Sequence, residues 1–277
     1  MLRIAIQSKG RLYEESMALL EEAGIKIPGG KRTLLVPARN FPVEVLFLRD
    51  DDIPESVASG VADVGIVGLN EVMEKRCPVG ILKKLGFGKC RLSLAIPQDI
   101  DYQDRNWFSG KKIATSYPGI LSDYLHKNGI VSDIHVITGS VEIAPGIRLA
   151  DAIFDIVSSG STLVSNRLKE VETVVESEAV LIGTDSISPE KRGILDELLF
   201  RFDSVQAADD KKYILMNVPQ KKLNDVLSVL PGIKSPTVMP LADKEWCSVH
   251  TVLDEKCFWE IINRLKTAGA EGILVLD

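Results

Sequence analysis

Short apolar runs alternate with amphipathic segments along most of this chain, and that rhythm limits the fold more than any other feature. Leu2 to Gln7 reads as a buried strand, and Glu14 to Ala23 then places Met17, Leu19, Leu20 and Ala23 along one helical stripe. Leu34 to Pro37 and Val43 to Leu48 read as strands. A helix start at Asp52 with Pro54 in its first turn runs to Gly60, and Val61 to Val67 follows as a strand. Strands and helices alternating through short loops predict an α/β fold. No GxGxxG fingerprint or Walker motif occurs in it, which disfavours a nucleotide-binding Rossmann domain and a P-loop ATPase.

The alternating run Arg91 to Ile96 is another strand, after which Pro97 to Gly110 turns polar and reads as a crossing into a second lobe. There Lys111 to Thr115 and Ile134 to Ile137 are strands, Ile120 to Asn128 is a helix, and Gly139 to Glu142 leads into a helix carrying Leu149 and Ala150. Glu170 to Glu178 is an acidic segment, and the strand Ala179 to Ile182 returns the chain to the first lobe. The expected division is 1–96 with 179–205 for the first lobe, 97–178 for the second, and 209–277 for a C-terminal module. That module reads β-α-β-β-α-β, the ferredoxin-like order, with strands at Tyr213 to Val218, Thr237 to Leu241, Trp246 to Leu253 and Gly272 to Leu276.

Composition narrows the function. A net charge of −6 argues against a general nucleic-acid surface. No apolar run approaches a membrane span, and the opening MLRIAIQSKG reads as a strand, not a signal peptide, so a cytoplasmic protein with no membrane partner is expected. Cys77, Cys90, Cys247 and Cys257 fall at no metal-ligand spacing and read as reduced, structural residues.

The stretch richest in chemistry is Asp151 to Leu163, DAIFDIVSSGSTL. A strand feeding Ser158, Ser159, Gly160, Ser161 and Thr162 at a helix start has the makings of a phosphate cradle: unpaired N–H groups, hydroxyl donors and a glycine that admits close approach. The same residues also make an ordinary Ser/Thr helix cap. Asp151 and Asp155 beside an anion site call for sugar hydroxyls or a cation as well. Lys9 and Arg11 flank Gly10 on a strand-to-helix loop, where solvated surface bases are the plain alternative.

The chain resembles the long form of the ATP phosphoribosyltransferases, the family that begins histidine biosynthesis. The resemblance runs along essentially the whole sequence, through IQSKGRLYEES, LFLRDDDIPESVASGVADVGIVGLNE, GFGKCRLSLAIP, KKIATSYP, GSVEIAPGIRLADAIFDIVSSGSTLVSNRLKEVE, LPGIKSPTVMPL and AEGILVLD. One departure is Arg148, where the family usually has glycine.

The resemblance implies two lobes similar to periplasmic binding proteins with a C-terminal regulatory domain similar to PII-like and ACT-like sensors. It implies transfer of the phosphoribosyl group of phosphoribosyl pyrophosphate (PRPP) to N1 of ATP, with magnesium and release of pyrophosphate. Asp151, Asp155 and Ser158 to Thr162 would bind PRPP, with Asp151 and Asp155 also the candidate metal side. Lys9, Arg11, Glu142 and Asp155 are the implied catalytic residues; Arg11, Asp63, Asn70, Cys90 and Tyr117 would approach ATP. Ser235, Thr237 and Ala270 would contact histidine as a feedback inhibitor, and a hexamer interconverting with a dimer is expected. A two-lobed solute-binding protein or sensor, a phosphoribosyltransferase for another base, and an oligomeric scaffold remain the alternatives.

Overall fold

The computed structural model describes residues 1–28, 33–209, 211–231 and 235–276. They form two compact units, Met1–Phe202 and Asp203–Asp277. The first unit holds two sheets. One has six strands in the order Leu35–Pro37, Val43–Leu48, Leu2–Gln7, Val64–Gly68, Ala179–Gly183 and Gly80–Lys84. Leu2–Gln7 runs parallel to Val43–Leu48 and Val64–Gly68, while Ala179–Gly183 is antiparallel to both of its neighbours.

The other sheet has the order Leu168–Ser177, Cys90–Pro97, Ala152–Val157, Lys112–Thr115 and Asp133–Val136. Leu92, Leu94, Ile96 and Phe154 bury one face against Ile120, Leu121 and Leu125 of the helix Pro118–Lys127. Ala95, Ile153 and Val157 bury the opposite face against Val141, Ala144 and Leu163. This two-sided burial explains the nearly continuous apolar sequence of these strands.

The chain crosses between the sheets twice, after Lys84 and after Ser177. The two crossings run side by side, tied by Leu85 N–H to Ala179 O and Ala179 N–H to Phe87 O, both 2.9 Å. The strand Cys90–Pro97, grouped with the first lobe on sequence, therefore belongs to the second sheet. The polar stretch after Pro97 misplaces the crossing because it is only a surface loop between two strands of that sheet.

Two other expectations change. The segment after Ser140 makes a single 3-10 turn, Val141–Ile143, instead of a helix reaching Ala150. Pro145 and Gly146 interrupt it, and Arg148 takes a left-handed φ of 59°. Apart from Glu178, the acidic segment lies within a ten-residue edge strand, Leu168–Ser177, whose register shifts at two bulges. Bulges break the period-two pattern by which a strand is recognised. The chain after Ala179–Gly183 continues in a 21-residue helix, Pro189–Asp209, with Leu195, Leu198 and Phe202 buried.

In the second unit, four antiparallel strands lie in the order Thr237–Pro240, Trp246–Asp254, Lys211–Pro219 and Glu271–Leu276. The helices Leu223–Val229 and Glu255–Ala268 complete the ferredoxin-like arrangement. Val226, Phe258, Ile261 and Leu265 pack from these helices on Ile214, Met216, Val218 and Val249. Among the described residues no helix is long and apolar enough to cross a membrane.

Candidate active site

Loops at the carboxyl ends of the parallel strands are the usual ligand sites of open α/β sheets. Ala152–Val157 ends there in Ser158, Ser159 and Gly160, and a helix of only five residues follows, Ser161–Ser165. Its dipole contributes little, so the loop's own donors matter most. Gly160 sits at φ 80°, a left-handed turn that glycine adopts without Cβ strain. The N–H groups of Ser159, Gly160 and Thr162 and the Thr162 hydroxyl have no hydrogen-bond partner among the described residues. Ser159 Oγ and Ser161 Oγ lie 3.0 Å apart.

Ser158, Ser159, Gly160 and Thr162 line a cavity of about 260 Å³ with Glu142 and Asp155. Burial pushes the Asp155 carboxyl up to about 6; the Ile156 N–H, 2.8 Å from Oδ1, restrains the shift and Glu142 adds to it. A second cavity of about 250 Å³ adjoins the first, since Ile156 and Ser158 line both. Its other walls include Gln7, Arg11, Glu15, Asn70, Glu71, Lys89 and Cys90. Arg11 joins the two sheets by donating from Nη1 to Ser158 Oγ at 3.3 Å and pairs with Glu15 at 3.1 Å.

Asn70 and Tyr117 meet in a buried network. The Tyr117 hydroxyl donates to Glu71 Oε1 at 2.8 Å, Asn70 Nδ2 donates to Tyr117 at 3.2 Å, and Ser177 Oγ donates to Asn70 Oδ1 at 2.8 Å. Burial raises the pKa of both Glu71 and Tyr117, so the phenol holds its proton. Burial likewise raises the Cys90 thiol, which makes it a packing residue and a poor nucleophile.

Two expected site residues lie elsewhere. Asp151 precedes its strand, where its carboxylate accepts from the Lys112 N–H at 2.9 Å. Four residues of extended chain, about 13 Å, separate it from Asp155. Asp63 precedes Val64–Gly68, about 16 Å of strand from the start of the helix Leu69–Lys75 that bears Asn70. There it accepts from the Arg3 N–H and pairs with Lys191, each at 2.8 Å. In both cases the residue lies at the start of a strand whose other end borders one of the two cavities. Lys9 is exposed on the turn before Arg11 and lines neither cavity. Glu15, Glu71 and Arg91 went unnoticed on sequence; their only signal is a charged or polar residue among apolar strand and helix positions.

Asp155 and Glu142 are the carboxylates at the first cavity, and no group of three or more His, Cys, Asp or Glu placed to hold a metal occurs among the described residues. Such a site suits a magnesium ion that arrives on substrate phosphates and needs one or two protein carboxylates, not a preformed protein cage.

Arg148 lies on another face, beside Trp107, Lys111, Lys112 and Asp151 around a cavity of about 450 Å³. Its φ of 59° is left-handed, a conformation that glycine adopts without Cβ strain. In the second unit Thr237 pairs with His250 across two strands, and Ser235 is exposed. The Ala270 methyl is 4% exposed and part of the core, so it offers packing instead of a ligand surface.

Family comparisons agree along the chain. The model for "HisG: ATP phosphoribosyltransferase" matches residues 49–204, and that for "HisG, C-terminal domain" matches 208–277. An ATP phosphoribosyltransferase of Bacteroides fragilis is 70% identical over 276 residues, covering 100% of this chain and 98% of the relative. Among solved structures, an ATP phosphoribosyl transferase (HisG:HisZ) complex from Thermotoga maritima aligns with a TM-score of 0.65 at 27% identity, over 74% of this chain and 98% of that one. The substrate-binding protein of an amino acid ABC transporter shares the fold, at a TM-score of 0.51 and 11% identity over 75% of this chain and 94% of that one. The chain belongs to the ATP phosphoribosyltransferase family, in the long form that carries the C-terminal domain.

Proposed function

We propose that the chain transfers the phosphoribosyl group of PRPP to N1 of ATP, with the loop Ser158–Thr162 gripping the 5′-phosphate. The observation that carries this reading is the row of donors at Ser159, Gly160 and Thr162, unpartnered among the described residues and opening on a cavity lined by the carboxylates of Asp155 and Glu142. The donors suit the phosphate, and the carboxylates suit ribose hydroxyls on the same molecule. The adjoining cavity, with Asn70 and Glu15 in its wall, is the proposed nucleotide site. Ser158, common to both, places the anomeric carbon near the adenine.

The chemistry needs little proton transfer. As the C1–pyrophosphate bond lengthens, positive charge grows on the sugar ring and negative charge on the leaving group. Asp155 and Glu142 favour the first; Arg11, with Lys9 on the same turn, favours the second. Holding N1 in line with C1 removes much of the entropic cost of a two-substrate reaction. Asp155 or Glu142 would hold magnesium, which would supply further charge neutralisation for the leaving group. Charge placement and alignment suffice for direct displacement of pyrophosphate by N1, so no covalent enzyme intermediate is required.

The second unit is the proposed site of histidine feedback, through Ser235 and Thr237. The open face of its sheet exposes Tyr213, Met239, Val252, Leu274 and Leu276, an apolar surface that supports assembly into the proposed dimer and hexamer. Pyrophosphate release tests the activity. It should require PRPP, ATP and magnesium together and fail with AMP or free bases in place of ATP. Ligand binding without turnover would instead favour a two-lobed sensor.

A further inference from the structure

Arg91 stands on Cys90–Pro97 directly opposite Val157, the last strand residue before the phosphate loop. Its guanidinium forks onto Glu170, with Nε 2.6 Å from Oε1 and Nη2 2.5 Å from Oε2. Ser93 Oγ and Thr173 Oγ1 also donate to Oε1, at 2.7 and 3.2 Å. Four donors thus fix the carboxylate, and the fork fixes the guanidinium plane. Arg91 holds the Glu170 carboxyl down to about 2, so the pair stays ionised throughout the working pH range.

The remaining nitrogen, Nη1, donates to the Ser158 carbonyl at 3.2 Å. In a trans peptide the carbonyl oxygen and the next N–H point to opposite sides. Holding the Ser158 carbonyl therefore sets the direction of the Ser159 N–H, one of the loop's unpartnered donors, and turns a partially negative oxygen away from an incoming anion. We propose that Arg91, locked by Glu170, is a positioning residue that orients the Ser158–Ser159 peptide so that the loop presents N–H groups to the PRPP phosphate. This inference rests on the reading of Ser158–Thr162 as the phosphate site.

Arg91→Lys tests it. Lysine keeps a positive charge beside Glu170 but lacks the fork that reaches both carboxylate oxygens and the Ser158 carbonyl. Calorimetric titration with PRPP and magnesium should show affinity weakened about tenfold, as expected for one lost charge-assisted hydrogen bond. ATP affinity and the thermal midpoint should stay near those of the unaltered protein. A second variant, R91M/E170M, removes both charges and so leaves no ionised partner stranded; it should show the same selective loss. Unchanged PRPP affinity in either variant, or equal loss of ATP and PRPP affinity, overturns the inference. Ser161→Ala and Thr162→Val separate the two levels. If they weaken PRPP binding while R91K does not, the positioning role alone is wrong. If they leave PRPP binding intact, the phosphate-loop reading fails and this inference fails with it.

Discussion

The Tyr117 hydroxyl, carried by the second sheet's loop, donates at 2.8 Å to Glu71 from the first. Glu71 is 6% exposed and Tyr117 7%, so water replaces this bond poorly. Tyr117→Phe keeps the ring and removes one of two donors to Glu71 Oε1, the other being Asn70 Nδ2 at 3.1 Å. It should destabilise the first unit by about 1 kcal/mol, read as a lower thermal midpoint. A variant as stable as the parent would show that the Asn70 donor alone satisfies the carboxylate.

Glu74 makes a second clasp between the sheets. Its carboxylate oxygens accept from the Gly119 and Ile120 N–H groups, at 2.8 and 2.9 Å, at the start of the helix Pro118–Lys127. The carboxylate fills the role of an N-cap and meets the positive end of the helix. Glu74→Ala should cost about 1–2 kcal/mol in chemical denaturation. Gly119→Ala should act similarly, because a Cβ there would lie 3.0 Å from Glu74 Oε1.

Asp155 makes stability fall as pH rises. Its carboxyl is raised from 3.8 to about 6 in the folded chain, so between those values the folded state binds more protons than the unfolded one. Stability should therefore decline from pH 4 through pH 6 by up to about 3 kcal/mol and then level off. Asp155→Asn should abolish that decline and raise the thermal midpoint at pH 7. If PRPP hydroxyls donate to the carboxylate, PRPP affinity should also rise through pH 6, by more in the parent than in D155N. Identical pH profiles for the two proteins would remove Asp155 from the sugar site.

Thr237 lies on the strand Thr237–Pro240 of the second unit, opposite His250. Thr237→Val should weaken inhibition by histidine and leave turnover without histidine unchanged. Loss of both together would indicate misfolding of that unit.

Much of this architecture is visible in the amino-acid order. The strand-turn-helix at Ser158–Thr162 is legible because apolar Ile153, Phe154 and Val157 give way at once to small hydroxyl residues around one glycine. The ferredoxin-like unit is legible from two well-punctuated helices between apolar strands. The edge strand Leu168–Ser177 is not, because bulges and half-solvated glutamates erase its alternation. Arg91 is hidden for a related reason: on a strand it looks like one more outward charge, and only the pairing of Cys90–Pro97 with Leu168–Ser177 brings Glu170 beneath it. The placement of Asp63 and Asp151 at strand starts, away from both cavities, is not legible because sequence spacing does not say which end of a strand borders a cavity.

The most direct test is a crystal structure of the protein with PRPP and magnesium. The 5′-phosphate should lie within hydrogen-bonding distance of the Gly160 and Thr162 N–H groups and the Thr162 hydroxyl, with the ribose hydroxyls toward Asp155. A phosphate bound elsewhere, such as beside Lys111, Lys112 and Arg148, with the Ser158–Thr162 loop untouched, would contradict the account.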